Sequence, residues 1–323
     1  MRPFQFAART MPRCLPTARP AHALLLAAGL TVAAAAAVAP RPAASADRTP
    51  EKAPVTAPDR APDRDAGLHY KVYIGGFHVV DLDIAMDLAP RDYKVEARLK
   101  TIGMIGSMFP WTMKAHSNGR FDGGGVVPAA AGQRSTWKGN PRFIEMRFDK
   151  GLPVIEEIKP LPRSDDRDPV PDDVRKGALD LTSAVLSLLT RMEKGKPCAG
   201  TVPVFDGRRR FDLVATGDGP DTLRANRYSP YEGPADTCIV RMEPIAGFKK
   251  TDHGGWNDGD RKAMVWTASP FDGMPPVPVR ITVDTPLGAL IAHLNHASYR
   301  SGAQQAVLSH SSNERRAGMP GSP

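Results

Sequence analysis

Several stretches of this chain carry residue types that could do chemistry. Ser135 and Lys138 have the Ser-x-x-Lys spacing with which a helix presents a lysine to a serine nucleophile. Their flanks read as a strand and Gly139-Asn140-Pro141 follows at once, so the two side chains should point to opposite faces, and no catalysis is expected from them. Residues 252–260 hold Asp252, His253, Asn257, Asp258 and Asp260, oxygen donors of the kind that gather around Ca²⁺. Gly254 falls where an EF-hand loop needs its third-position ligand, so a solvated turn is the better reading. His293 and His296 lie three apart, a spacing that aligns imidazoles on a helix but separates them across a strand. In the strand expected here they read as unrelated surface or rim residues.

Two further stretches suit binding. Arg208, Arg209 and Arg210 follow Asp206-Gly207, a favoured two-residue hairpin pair. Guanidinium groups bind phosphate and carboxylate through paired N–H donors, so this hairpin could meet an anionic headgroup or polysaccharide. The plainer alternative is a solvated tip whose charges keep a sheet edge from pairing with another sheet, with alternate residues diverging. Met104, Ile105, Met108, Phe109, Pro110, Trp111 and Met113 form the most concentrated apolar cluster beyond the N-terminal region. Flexible methionine beside aromatics suits an adaptable lipophilic site at a barrel mouth, although ordinary core would account for it too. The candidate ligand-binding residues are therefore Met104, Met108, Phe109, Trp111, Arg208, Arg209 and Arg210. No Gly-x-Ser-x-Gly elbow, His-Glu-x-x-His, phosphate-cradling glycine loop or dinucleotide fingerprint occurs, and no catalytic residue, metal or cofactor is assigned.

The elements that must position these residues are mostly strands. Tyr70, Val72 and Ile74 alternate with polar neighbours, Gly75-Gly76 offers a hairpin turn, and Val80, Leu82, Ile84, Met86 and Leu88 repeat every second residue. Tyr93, Val95, Ala97 and Leu99 continue the meander, and the same period recurs in short runs to about residue 294. Two segments depart from it. Residues 101–109 are apolar with two glycines and predict a short helix or turn plugging one end of the sheet. Residues 179–192 place Leu181, Val185, Leu188 and Leu189 on one helical face, with Asp180 as the cap, and predict a helix against the concave face. The expectation is a mainly β fold: a curved antiparallel sheet, closed or partly closed into a barrel, with one short helix packed against it.

The N-terminus indicates the compartment. Arg2, Arg9, Arg13 and Arg19 precede an apolar run over residues 21–39, followed by Ala44-Ser45-Ala46, the small-x-small pattern of signal peptidase substrates. Residues 1–46 are read as a signal peptide for export to the periplasm, a retained anchor being the alternative. After cleavage no integral membrane segment is expected. Its loss lowers the basic count from 43 to 38 against an unchanged 35 acids, so the net charge falls from +8 to +3. Such a balance gives no reason to expect nucleic-acid binding. Of three cysteines, Cys14 precedes the apolar run, which argues against lipidation, and leaves with the leader. Cys198 and Cys238 remain, and in an oxidising compartment an even pair suggests a disulfide. Residues 47–67 and 301–323, poor in large apolar side chains, read as a disordered linker and tail around a domain at 68–300.

The layout resembles a bacterial family, domain of unknown function 3108. The matching stretches are YKVYIGGFHVVDLDIAMDL, TIGMIGSMFPW, SNGRFDGGGVVP, LDLTSAVLSLL, FDGRRRFDL and PVPVRITVDTPLGALIAHL, which together span nearly the whole body. The resemblance implies an exported, mostly antiparallel β protein and brings no catalytic residue to carry over. The segment TDHGGWNDGD has no place in the family pattern. The functional expectation is a non-enzymatic periplasmic binding or envelope-maintenance protein, holding a lipid or another amphiphile in the concavity. The alternatives are a scaffold for a protein partner or an anionic cell-wall polymer and, third, an envelope hydrolase. Oligomeric state is not legible from the sequence.

Overall fold

The computed structural model describes residues 64–123, 125–161, 167–249, 262–285 and 288–310. The alternating runs become strands: β1 (Arg64–Ile74), β2 (Phe77–Leu88), β3 (Asp92–Thr101), β4 (Trp111–Asp122), β5 (Gly125–Trp137), β6 (Asn140–Asp149) and β7 (Leu152–Lys159) in the first half. The second half supplies β8 (Gly200–Phe205), β9 (Arg210–Leu223), β10 (Gly233–Ala246), β11 (Lys262–Ala268), β12 (Val277–Thr285), β13 (Gly288–Ser301) and β14 (Gln304–Leu308). Three helices interrupt them: α1 (Gly103–Met108), α2 (Asp172–Arg175) and α3 (Leu181–Glu193). The sheet runs β7-β6-β5-β4-β3-β2-β1-β13-β12-β11-β10-β9-β8, with β14 beside the end of β13. Pairing β1 with β13 joins a seven-strand meander to a second meander, and the whole curls into a nearly closed antiparallel barrel.

Alternation decides what faces inward. Ala66, Leu68 and Tyr70 of β1, Met86 and Leu88 of β2, and Tyr93 and Val95 of β3 are buried in one cluster with Leu186 of α3. Their neighbours Lys94, Glu96 and Arg98 lie on the opposite face, where Lys94 and Glu96 pair at 2.8 Å. A shift of one residue would reverse every side chain, so the apolar period fixes the register.

Helix α3 lies across the concave side. Asp180 caps it, accepting a hydrogen bond from Ser183 N at 3.0 Å. The buried residues are Ser183, Ala184, Leu186, Leu188, Leu189 and Thr190, while Leu181 and Val185, expected on the packed face, are exposed. The helix is enclosed on several sides, not along one stripe. Ala184 and Leu188 meet Val202, Val204, Phe211 and Leu213, whereas Leu186 meets the β1–β3 core. The segment before α3 spans the gap between the two ends of the sheet: Gly177 N donates to Gly151 O, in the β6–β7 turn, at 2.8 Å, and Leu179 bridges Val204 of β8 in parallel.

The disulfide joins Cys198 and Cys238, with Cα atoms 5.9 Å apart, and ties the α3–β8 connection to β10. Two boundaries differ from the sequence reading. β1 begins at Arg64, inside the stretch read as linker, because residues 64–67 find partners on both β2 and β13, and Asp65 accepts a hydrogen bond from Arg300 Nε at 2.9 Å. β14 lies inside the stretch read as tail, paired with β13. Helix α1 forms where a helix or turn was expected, but none of its residues is buried, so it does not plug the sheet.

Candidate functional site

Because neighbouring strands are antiparallel, the connections at residues 75–76, 102–110, 138–139 and 206–209, and the chain leaving β7 and β10, all fall at one end of the barrel. At this mouth Thr101 Oγ1 accepts a hydrogen bond from Trp111 N at 2.9 Å and donates to Phe109 O at 3.0 Å, closing the loop that carries α1. Trp111 opens β4 directly opposite Trp137 at the end of β5, and their rings meet edge to face at 6.4 Å. Phe109 stacks on Trp137 at 6.3 Å, and Lys138 Nζ stands 4.6 Å over the Phe109 ring.

The β8–β9 connection faces this aromatic group from across the gap. It is a four-residue loop, not the two-residue turn suggested by Asp206-Gly207. Asp206 Oδ1 accepts from the backbone N–H groups of Arg208 (2.9 Å) and Arg209 (2.7 Å), a side-chain turn that replaces the expected one. Gly207 makes the close approach possible: at φ +87° a Cβ there would lie 2.6 Å from Ile144 Cγ2. Arg208 reaches over the gap to donate to Pro160 O, so this loop completes the mouth where no strand pairing joins β8 to β7.

Between the two groups lies a cavity of about 540 Å³. Trp111, Gln133, Ser135 and Trp137 line one part of it. Arg142, Lys159, Arg167, Arg208, Arg209 and Lys249 line the rest, and Asp206 is the one carboxylate among the described residues that line it. That carboxylate is already engaged by its own loop, including Arg209 Nε at 2.8 Å. Burial, then the neighbouring Arg167 and Arg142, hold the Arg208 guanidinium below its ordinary range. An anion placed here would relieve that mutual repulsion.

The sequence candidates divide in three dimensions. Trp111, Arg208 and Arg209 line the cavity, Phe109 supports Trp137, and Met104 and Met108 stand exposed on the rim outside it. Core packing therefore does not account for the methionines. Arg210 turns away, to Asp212 at 2.6 Å and to Val174 O at 3.2 Å, and belongs to no shared site with its two neighbours. Sequence reasoning missed Trp137, Arg142, Lys159 and Arg167. They lie far from one another along the chain and in no motif; the one signal available was the strand pairing that sets Trp137 opposite Trp111.

The remaining candidates are structural or lie elsewhere. Ser135 lines the cavity while Lys138 sits in the turn above Phe109, so they form no serine–lysine pair. Residues 252–260 lie outside the described residues. His293 and His296 were expected on opposite faces, yet a bulge at Asn295 puts them opposite Lys71 and His69, on one face. His293 is buried, not a surface residue: it stacks on Tyr228 at 5.5 Å, and burial and Arg280 lower its pKa to about 4. Among the described residues no cluster of three or more His, Cys, Asp or Glu side chains could hold a metal ion.

One polar constellation is sealed inside. Ser117 Oγ donates to Asp180 Oδ2 at 3.1 Å and lies 2.9 Å from Ser183 Oγ, which shares a 2.7 Å hydrogen bond with Tyr93 Oη and also donates to Asp180. Asp180, Ser117 and Ser183 are all buried. They fix the helix to β3 and β4.

Comparison with known proteins came to three findings. A family model described as "Protein of unknown function (DUF3108)" matches residues 69–295. No curated protein matches the chain. Among solved structures, a β-barrel-like protein of domain of unknown function 1849 from Brucella abortus is similar at 10% identity and a TM-score of 0.44, covering 75% of this chain and 99% of that one.

Proposed function

The chain belongs to the DUF3108 family, and we propose that this member is an exported, non-enzymatic binding protein of the bacterial envelope that holds an anionic amphiphile at the barrel mouth. One observation carries the reading: among the described residues, six cationic side chains and a single engaged carboxylate converge beside two tryptophans in one cavity of about 540 Å³. Guanidinium groups suit a phosphate or carboxylate head, and the indole faces suit the first carbons of its chain. The interior beyond is taken by α3 and the apolar core, so the mouth and not the whole concavity receives the ligand. Export is supported by the N-terminal leader pattern, and a disulfide agrees with an oxidising compartment.

Titration calorimetry with dodecyl phosphate, inorganic phosphate and dodecanol tests the proposal on chain purified without detergent. Dodecyl phosphate is expected to bind at least about tenfold more tightly than either fragment, because head and chain are both recognised. Arg208→Ser should weaken it by about tenfold or more, since a charge-assisted bond is worth about 1.5–3 kcal/mol. Equal binding of dodecanol, or an Arg208→Ser variant indistinguishable from wild type, would sink the reading.

A further inference from the structure

Exposed apolar side chains are unevenly distributed over the barrel. Ten large ones are exposed among the described residues, and seven lie at the mouth. Phe77 (72% exposed) sits beyond the β1–β2 turn, Met104 (72%) and Met108 (58%) on α1, Leu161 (74%) after β7, and Ile245 (51%) at the end of β10. Phe109 and Trp137 complete the set. The other three lie on α3 and β14, and none is in a connection at the opposite end. Soluble proteins rarely gather exposed apolar side chains on one rim without an interaction to bury them.

The same rim is basic. Lys138 and Lys159 stand among these apolar tips, and Arg142, Arg167, Arg208 and Lys249 lie just inside them. The outer wall behind carries ion pairs, Lys94 with Glu96 at 2.8 Å and Arg134 with Glu145 at 3.0 Å, which would resist immersion in hydrocarbon. Among the described residues no helix is long and apolar enough to cross a membrane. Separate apolar tips projecting from turns, interleaved with cations, fit a surface that is soft, apolar a few ångströms down and negatively charged on top.

We infer that the mouth is a docking face for an anionic lipid bilayer: Phe77, Met104, Met108 and Leu161 enter the headgroup region while Lys138, Lys159 and the arginines meet lipid phosphates. Docking in this orientation sets the cavity against the membrane surface, from which a single amphiphile can pass into it without crossing water. Each cation near a charged bilayer contributes about fivefold to partitioning at low salt, so a few of them with a few apolar tips suffice for reversible attachment.

Cosedimentation with vesicles tests this, using the full chain as purified from the envelope, so that wild type and variants share one N-terminus. Wild type should partition at least about tenfold better into vesicles of equal parts phosphatidylglycerol and phosphatidylcholine than into phosphatidylcholine alone, and should be released by salt. The triple variant Phe77→Asp, Met104→Asp, Met108→Asp changes only exposed positions and should keep its thermal midpoint while losing about tenfold or more of the partitioning. Lipids brominated in the upper acyl chain should quench part of the wild-type fluorescence, and Trp137→Phe should remove that part. Unchanged partitioning of the triple variant, equal binding to neutral vesicles, or unquenched fluorescence overturns the inference. The cavity reading fails separately: a triple variant that still binds dodecyl phosphate but not vesicles leaves both standing, and vesicle binding without dodecyl phosphate binding leaves the docking face alone.

Discussion

Asp180 illustrates how one residue can serve two needs that pull in opposite directions. As a cap it must accept hydrogen bonds, and Ser183 and Ser117 donate to it, yet burial outweighs them and holds its carboxyl above the ordinary value of 3.8. A raised folded value means that its stabilising contribution is complete below about pH 4 and is lost as pH rises through the folded value. Asp180→Asn keeps the cap and removes this decline, so the variant should gain on wild type in urea unfolding as pH rises above about 4. Asp180→Ala should instead cost about 2–4 kcal/mol, the lost cap plus serine hydroxyls left without their acceptor. His293 behaves in the opposite sense. Packed against Tyr73 and Tyr228 with Arg280 nearby and its pKa near 4, it supports the fold while neutral; that support is full above its ordinary 6.5 and lost as pH falls toward 4. His293→Leu should flatten the thermal midpoint across that window, and an unaltered acid limb would count against the burial argument.

Among the elements, α3 shows why a helical wheel read from sequence found only part of the packed surface: Leu188 and Leu189 are buried, Leu181 and Val185 are not. A surface helix buries one face, so the larger side chains at Leu181, Val185, Leu188 and Leu189 mark it. Here β4, β5 and β8 all contact the helix, and at the closest approaches Ser183 and Ala184 are favoured because they are small. Leu186→Ala, at the meeting of α3 with the β1–β3 core, should destabilise by about 3 kcal/mol. Val185→Ala should change stability by about 0.5 kcal/mol or less in the same chemical denaturation. If the two cost the same, the helix packs as the wheel suggested. Helix α1 makes the complementary point, since its methionines look like core by composition and stand in solvent.

At the scale of the barrel the decisive feature is closure without direct pairing of its two end strands. The sheet ends at β7 and β8, and the gap is bridged by residues 177–179 and, at the mouth, by the loop at 206–209 leaning on Ile144 and Pro160. Gly207→Ala would place a methyl group 2.6 Å from Ile144 Cγ2 in a left-handed backbone conformation, and is expected to cost about 1–3 kcal/mol. It should also weaken dodecyl phosphate binding, because Arg208 would be displaced from the cavity; full affinity with lowered stability would show that closure and binding are independent.

Local periodicity settled much of this protein in advance. Alternation every two residues marked the strands, Asp180 marked the start of α3, and the pairing of Cys198 with Cys238 followed from a count of two. These are short-range or arithmetic signals, and a single chain records them in order. The site is of another kind. Trp111 and Trp137 meet through strand register, Arg142 and Arg208 through closure of the barrel, and Arg210 leaves its neighbours because a local turn rotates it toward Asp212. Residues far apart in sequence carry no mark of which others they will meet, so the presence of tryptophans, methionines and arginines was written in the chain, and their convergence on one rim was decided only when the sheet curled.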